Sequence, residues 1–180
     1  MKKIALTCFA ALAVFALAAC EITSEETYDY AGFKAMLAEK EFKIEYKKAH
    51  AKVDEDGKKS ELDYEYDETS KRYVADYEEV DEETGETMRG KSYQALDIVS
   101  NVASISATAE YMKIKVDDAM KFYVTNGEYR IVADFTSEGN KHEGEQKFNK
   151  NGLLTYTHSV VKDKDNKVVM EETIEYTYSK

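Results

Sequence analysis

A short punctuation mark recurs along the chain and constrains its fold more than any other feature. Asp56-Gly57, Thr84-Gly85, Asn126-Gly127, Glu138-Gly139 and Asn151-Gly152 each set a polar residue before a glycine. Between these points the residues alternate apolar and polar. Successive side chains of a strand point to opposite faces, so such stretches read as half-buried strands joined by hairpins. The strongest instance runs from Phe122 to Ile131, with Asn126-Gly127 at its centre. Asn-Gly accepts the two positive φ angles of a type I′ turn, which fixes the pairing register there. Asn151-Gly152 is expected to do the same between Phe148 and Leu154.

Further strands follow from the same period. Phe42, Ile44 and Tyr46 alternate with Lys43, Glu45 and Lys47; Leu62, Tyr64 and Tyr66 alternate with Asp63 and Glu65; Tyr73, Ala75 and Tyr77 form a third set. Near the end, Val168, Met170, Ile174, Tyr176 and Tyr178 share one face, opposite Glu171, Thr173, Glu175 and Thr177. Two segments break the alternation. Over Tyr28 to Lys40, residues Tyr30, Phe33, Met36, Leu37 and Lys40 fall at helical spacing, with Thr27 or Asp29 placed to cap the first turn. Over Ser92 to Ala109, residues Ala95, Ile98, Val102, Ile105 and Ala109 give a second apolar stripe, although its β-branched residues also suit a strand. Met112, Ile114 and Val116 then return to alternation.

The order helix, about four strands, helix, about five strands predicts a single α+β domain over 28–180, built on one long antiparallel meander. One face of that sheet is apolar and must be covered, and the two helices are the candidates for the cover. With no proline and no glycine-rich linker, nothing divides the domain.

The first 19 residues read as a signal peptide. Lys2 and Lys3 precede an apolar run from Ile4 to Leu17, broken by Thr7 and Cys8. That run is shorter than the ~20 residues needed to span a bilayer. It ends in Leu17-Ala18-Ala19-Cys20, which resembles the lipobox of bacterial lipoproteins. The resemblance implies recognition of Leu17, Ala18 and Ala19 by the signal peptidase, cleavage before Cys20, and attachment of lipid to the Cys20 sulfur. The alternatives are an ordinary secretory signal that happens to precede a cysteine, or an uncleaved anchor. Lipoprotein processing would leave Cys20 as the sole cysteine of the mature chain, with no disulfide framework and no thiol nucleophile. Residues 20–27 are then the lipidated cysteine and a short polar tether, and the protein is extracytoplasmic and held at a membrane by its acyl chains.

Charge narrows the partners. Without Lys2 and Lys3 the chain carries 23 basic and 36 acidic residues, a net charge of −13. Anionic headgroups repel such a domain, which leaves anchoring to lipid. Nucleic acid is also disfavoured, because phosphate contacts need clustered Lys and Arg.

At fold level the element order from Tyr28 to Lys180, together with the lipobox, resembles the lipoprotein-carrier half-barrels typified by LolA and LolB. The resemblance implies a curved antiparallel sheet, a half-barrel, with an N-terminal helix and an inserted helix against it and acyl chains held in the gap. It carries over no binding residue. Among the 14 tyrosines, Tyr64, Tyr66, Tyr73 and Tyr77 are the candidates to line a ligand cavity, offering apolar rings with polar tips. Tyrosine also simply suits strands with one wet face.

No catalytic residue, metal ligand or cofactor is expected. Ser159 points to the opposite face from His158, and His50 and His142 have no base or ligand partner at a diagnostic spacing. Asp163-Lys164-Asp165-Asn166 opens like a calcium loop, but Ile174 stands where an EF-hand needs glutamate. Asp54-Glu55-Asp56-Gly57 and the run Glu78 to Glu86 read as hairpin tips and a solvated face. The expectation is a noncatalytic binding domain for an apolar or amphiphilic ligand. The alternative is an interaction module that contacts an envelope protein through its acidic surface, and an enzyme would require a convergent polar cluster in a cleft.

Overall fold

The computed structural model describes residues 25–80, 85 and 87–180. Leu17, Ala18, Ala19 and Cys20 lie outside the described residues, as does most of the acidic run 78–86. No helix among the described residues is long and apolar enough to cross a membrane.

Among the described residues, ten strands form one antiparallel open sheet, accompanied by three helices. In chain order they are β1 (Glu26–Tyr28), α1 (Tyr30–Ala38), β2 (Lys48–Glu55), β3 (Lys58–Asp67), β4 (Arg72–Val80), β5 (Thr87–Gln94), α2 (Ile98–Tyr111), α3 (Val116–Ala119), β6 (Met120–Thr125), β7 (Glu128–Ser137), β8 (Asn140–Phe148), β9 (Leu154–Lys162) and β10 (Val168–Ser179). The spatial order is β1-β6-β7-β8-β9-β10-β2-β3-β4-β5. The sheet is therefore two meanders, β2 to β5 and β6 to β10, rather than the single one expected. They join where β10 pairs with β2, with Tyr176 opposite Ala51 and Tyr178 opposite Ala49.

The turns follow from local chemistry. Asn126 (φ 53°) and Gly127 (φ 81°) both take positive φ, as does the pair Asp56 (48°) and Gly57 (81°), which is the backbone that lets a two-residue loop match strand twist. Asn151-Gly152 differs. Only Gly152 is left-handed, at φ 71°, and the Asn149 side chain accepts hydrogen bonds from the N–H groups of Asn151 and Leu153, so a longer loop replaces the expected type I′ turn.

Four further expectations shift. Residues 42–47 alternate but form no strand; Lys47 alone reaches the sheet, donating to the Ser179 carbonyl and accepting from the Tyr66 N–H, and the strand begins at Lys48. The sheet starts at Glu26, inside the expected tether, because Thr27 pairs with Tyr123 and Glu25 binds Arg130 at 2.8 Å. Helix α2 begins at Ile98 rather than Ser92, since Ser92 and Gln94 pair with Ala75 and Tyr73 in the sheet. Val116 opens the short helix α3 instead of extending a strand.

Both longer helices are capped by aspartate. Asp29 accepts from the Gly32 N–H and Asp97 from the Ser100 N–H, each at 2.7 Å, satisfying a donor that the first helical turn leaves unpaired. Asp97→Ala is expected to lower stability by about 1 kcal/mol, as read from urea unfolding followed by circular dichroism. An unchanged midpoint would remove the cap's role.

One apolar core joins the two meanders and the helices. Phe33 of α1 is fully buried and stacks on Phe122 of β6, centroids 5.0 Å apart, with Tyr129 of β7 at its edge. Ile98, Val102, Ile105 and Ala109 bury the stripe of α2, and the Tyr30 hydroxyl donates to the Val102 carbonyl at 3.0 Å, tying α1 to α2.

Candidate functional site

Opposed residues of antiparallel strands share a face, so the pairing register assigns every side chain. One row across the sheet reads Ala133, Gly144, Ser159, Glu172, Glu55. The rows on either side read Ile131, Gln146, Thr157, Ile174, Val53 and Phe135, His142, Val161, Met170. All belong to the face that carries the core. The intervening residues form the other face, which is charged and largely self-paired. There Glu145 meets Lys147 at 3.0 Å and Arg130 at 3.5 Å, and Glu143 binds Lys141 at 2.6 Å as well as Lys162. Hydrogen bonds from those two lysines hold the Glu143 carboxyl well below the usual range, at about 2.

On the core face, a trough of about 430 Å³ lies between α2 and strands β7 to β10. Asn101, Ser104, Ile105 and Thr108 form the helical wall; Ala133, Gly144 and Ser159 form part of the sheet wall. The volume arises from this small-residue row, where larger side chains would otherwise fill the space against the helix. Phe135 and His142 stack within the lining, centroids 4.9 Å apart and nearly parallel. The size lies within the roughly 300–1,000 Å³ of ligand pockets, and apolar walls with a few polar groups are their usual chemistry.

A second chamber of about 390 Å³ shares Asn101, Gln146 and Thr157 with the first and extends toward β2, β3 and β5. Tyr64, Tyr176, Ile174 and Glu172 line it. The Glu172 carboxyl is held above its ordinary range by burial and by the nearby Glu55 charge. Burial also raises the Tyr64 and Tyr176 hydroxyls, which stay neutral at physiological pH.

The four candidate tyrosines separate. Tyr64 is buried and lines the second chamber. Tyr66 and Tyr73 instead pack edge to face at 5.3 Å. Tyr73 is sealed in the core, where its hydroxyl donates to the Tyr46 carbonyl at 2.9 Å and burial pushes its pKa up to about 12. Tyr77 is 43% exposed, its ring lying over Gly90 at the strand edge. Sequence reading missed Glu172, although a signal was present: it is an acid in the apolar phase of the β10 alternation.

The histidines are placed by the same register. His158 meets Thr173 on the charged face at 3.0 Å, whereas Ser159 enters the trough. His50 sits 2.8 Å from Asp63 across the β2–β3 pair, a partner that spacing along the chain concealed. No cluster of three metal-ligating side chains occurs among the described residues. Asp163 accepts from the N–H groups of Asp165 and Lys167, which makes that segment a turn between β9 and β10. The chain matches no family model, no curated protein and no solved structure.

Proposed function

We propose that this chain is an extracytoplasmic, membrane-anchored lipoprotein whose domain is a noncatalytic binder of an apolar or amphiphilic ligand, held between a curved sheet and its helices. The observation that carries the reading is the trough between α2 and β7 to β10, walled on its sheet side by Ala133, Gly144 and Ser159.

Curvature has its own support. The Leu96 carbonyl accepts from the Leu154 N–H of β9 at 2.8 Å, yet Leu96 stands two residues after Gln94 of β5, five positions from β9 in the strand order. In a flat sheet those five steps of ~4.8 Å would span roughly 24 Å. Two residues reach only about 7 Å. A sheet rolled toward a half-barrel, with α2 lying inside the roll, reconciles the two figures. The lipobox at Leu17-Ala18-Ala19-Cys20 supplies the anchor, and a carrier close to a membrane surface has amphiphiles within reach.

Native mass spectrometry of the purified chain tests the binding reading, with Ala133→Phe as the comparison. The wild type should carry an amphiphile from the expression host or take up a fluorescent fatty alcohol. Ala133→Phe should fill the trough and weaken probe binding at least tenfold while leaving the melting temperature within a few degrees. A wild-type protein that neither retains nor takes up such a molecule would end the reading.

A further inference from the structure

The two chambers differ in one respect that sets the chemistry of the occupant. Neither lining contains a lysine or an arginine, and Glu172 is the charged side chain that the register directs inward. Glu143 and Glu145 border the trough by backbone alone, since the register turns their side chains to the other face and onto the lysines there. The nearest cation on the core face by register is Lys58, at the β2–β3 hairpin, opposite Glu55. None of the ion pairs or hydrogen bonds among the described residues reaches the Glu172 carboxylate, which lies in the chamber lined also by the Tyr64 and Tyr176 rings. A partly desolvated carboxylate beside aromatic faces attracts a cation and repels an anion.

We infer that the chamber at Glu172, Tyr64 and Tyr176 receives the positively charged head of a cationic amphiphile, an amine or quaternary ammonium, whose apolar body lies in the trough under α2. This rests on the trough being a ligand site and adds the class of ligand. An acyl chain ending in a free carboxylate is the wrong partner, because its head would face Glu172 and Glu55 with no cation between them.

Titration of the full chain with decylamine, decanoate and decanol, which share one tail and differ in head charge, separates the two claims. Propylamine, which keeps the head and lacks the tail, is the fourth probe. Decylamine should bind most tightly, decanol less, and decanoate and propylamine least. Glu172→Gln should weaken decylamine roughly tenfold, as expected for loss of one charged contact, and leave decanol unchanged. Ala133→Phe should weaken decylamine and decanol alike. Decanol binding that Ala133→Phe abolishes, with decanoate equal to decylamine or Glu172→Gln without selective effect, would overturn the head assignment and leave the trough standing. Propylamine binding as tightly as decylamine would overturn the amphiphile. Absence of binding by every probe would sink the site and the assignment together.

Discussion

Phe122→Ala is expected to lower the unfolding free energy by about 3–5 kcal/mol, the range for deleting a buried aromatic ring. In a domain of this size each kilocalorie moves the melting temperature by roughly 2–4 °C, so a drop of about 6–20 °C is anticipated. The cost is high because three elements meet on this ring. Phe122 is fully buried, stacks on Phe33 of α1, sits 5.8 Å from Tyr30, and pairs across the sheet with Tyr28 of β1 and Ile131 of β7. Removing it leaves a cavity under α1, which has only nine residues and so depends on packing more than on its own propensity. Thermal unfolding followed by circular dichroism measures the effect. Tyr111→Ala, at a side chain 88% exposed at the end of α2, is the control and should stay within about 0.5 kcal/mol. A loss below 1 kcal/mol for Phe122→Ala would mean that α1 does not rest on β6.

Legibility followed the strength of local signals. Asn126-Gly127 fixed its own hairpin because the turn demands positive φ at both residues and the sequence supplies residues that accept it. The cap at Asp29 and the buried stripe Ile98, Val102, Ile105, Ala109 were similarly local. Strand β2 was overlooked because its inward residues begin with Ala49 and Ala51, which have weak strand propensity; they are small because the Tyr176, Tyr178 and Tyr64 rings occupy the space opposite. The segment 42–47 misled in the other direction. Phe42 and Tyr46 are apolar because their rings pack on Tyr129 and Tyr178 from a segment that is not itself a strand, while Ile44 between them is exposed.

The candidate site was hardly legible at all. Its trough depends on Ala133, Gly144 and Ser159 standing side by side, and these lie on three strands whose register no single stretch of sequence encodes. A cavity is made by what is missing, and small residues scattered in a sequence carry no mark of having been brought together. Composition singled out Tyr64, Tyr66, Tyr73 and Tyr77 alike; Tyr64 lines a chamber, while Tyr66 and Tyr73 pack on each other and Tyr77 is exposed, a difference that depends on register and not on residue type.

Gly152→Ala tests the link between fold and trough at the point where the β8–β9 loop meets α2. Gly152 takes φ 71°, and its carbonyl accepts the N–H of Ile98, the first residue of α2, at 2.8 Å. An added Cβ would stand 2.7 Å from two carbons of the Phe42 ring and 3.0 Å from the Ile98 side chain. Left-handed backbone costs an alanine about 1–2 kcal/mol, and forcing a methyl into a packed contact adds roughly 1–3 kcal/mol. The sum, about 2–5 kcal/mol, should appear in urea unfolding. Gly127→Ala isolates the first contribution, because Gly127 has φ 81° but meets nothing nearer than Lys150 Cγ at 3.7 Å, so it bears the backbone cost alone and the difference between the two variants is the packing cost. Relieving the clash at Gly152 requires both the Phe42 ring and the Ile98 side chain to give way; Ile98 opens α2, and Asn101 one turn later walls both chambers. Gly152→Ala should therefore weaken amphiphile binding at temperatures where the protein remains folded, and Gly127→Ala should not. Equal stability losses in the two variants, with binding untouched in both, would show that Gly152 serves its turn and has no hold on the helix.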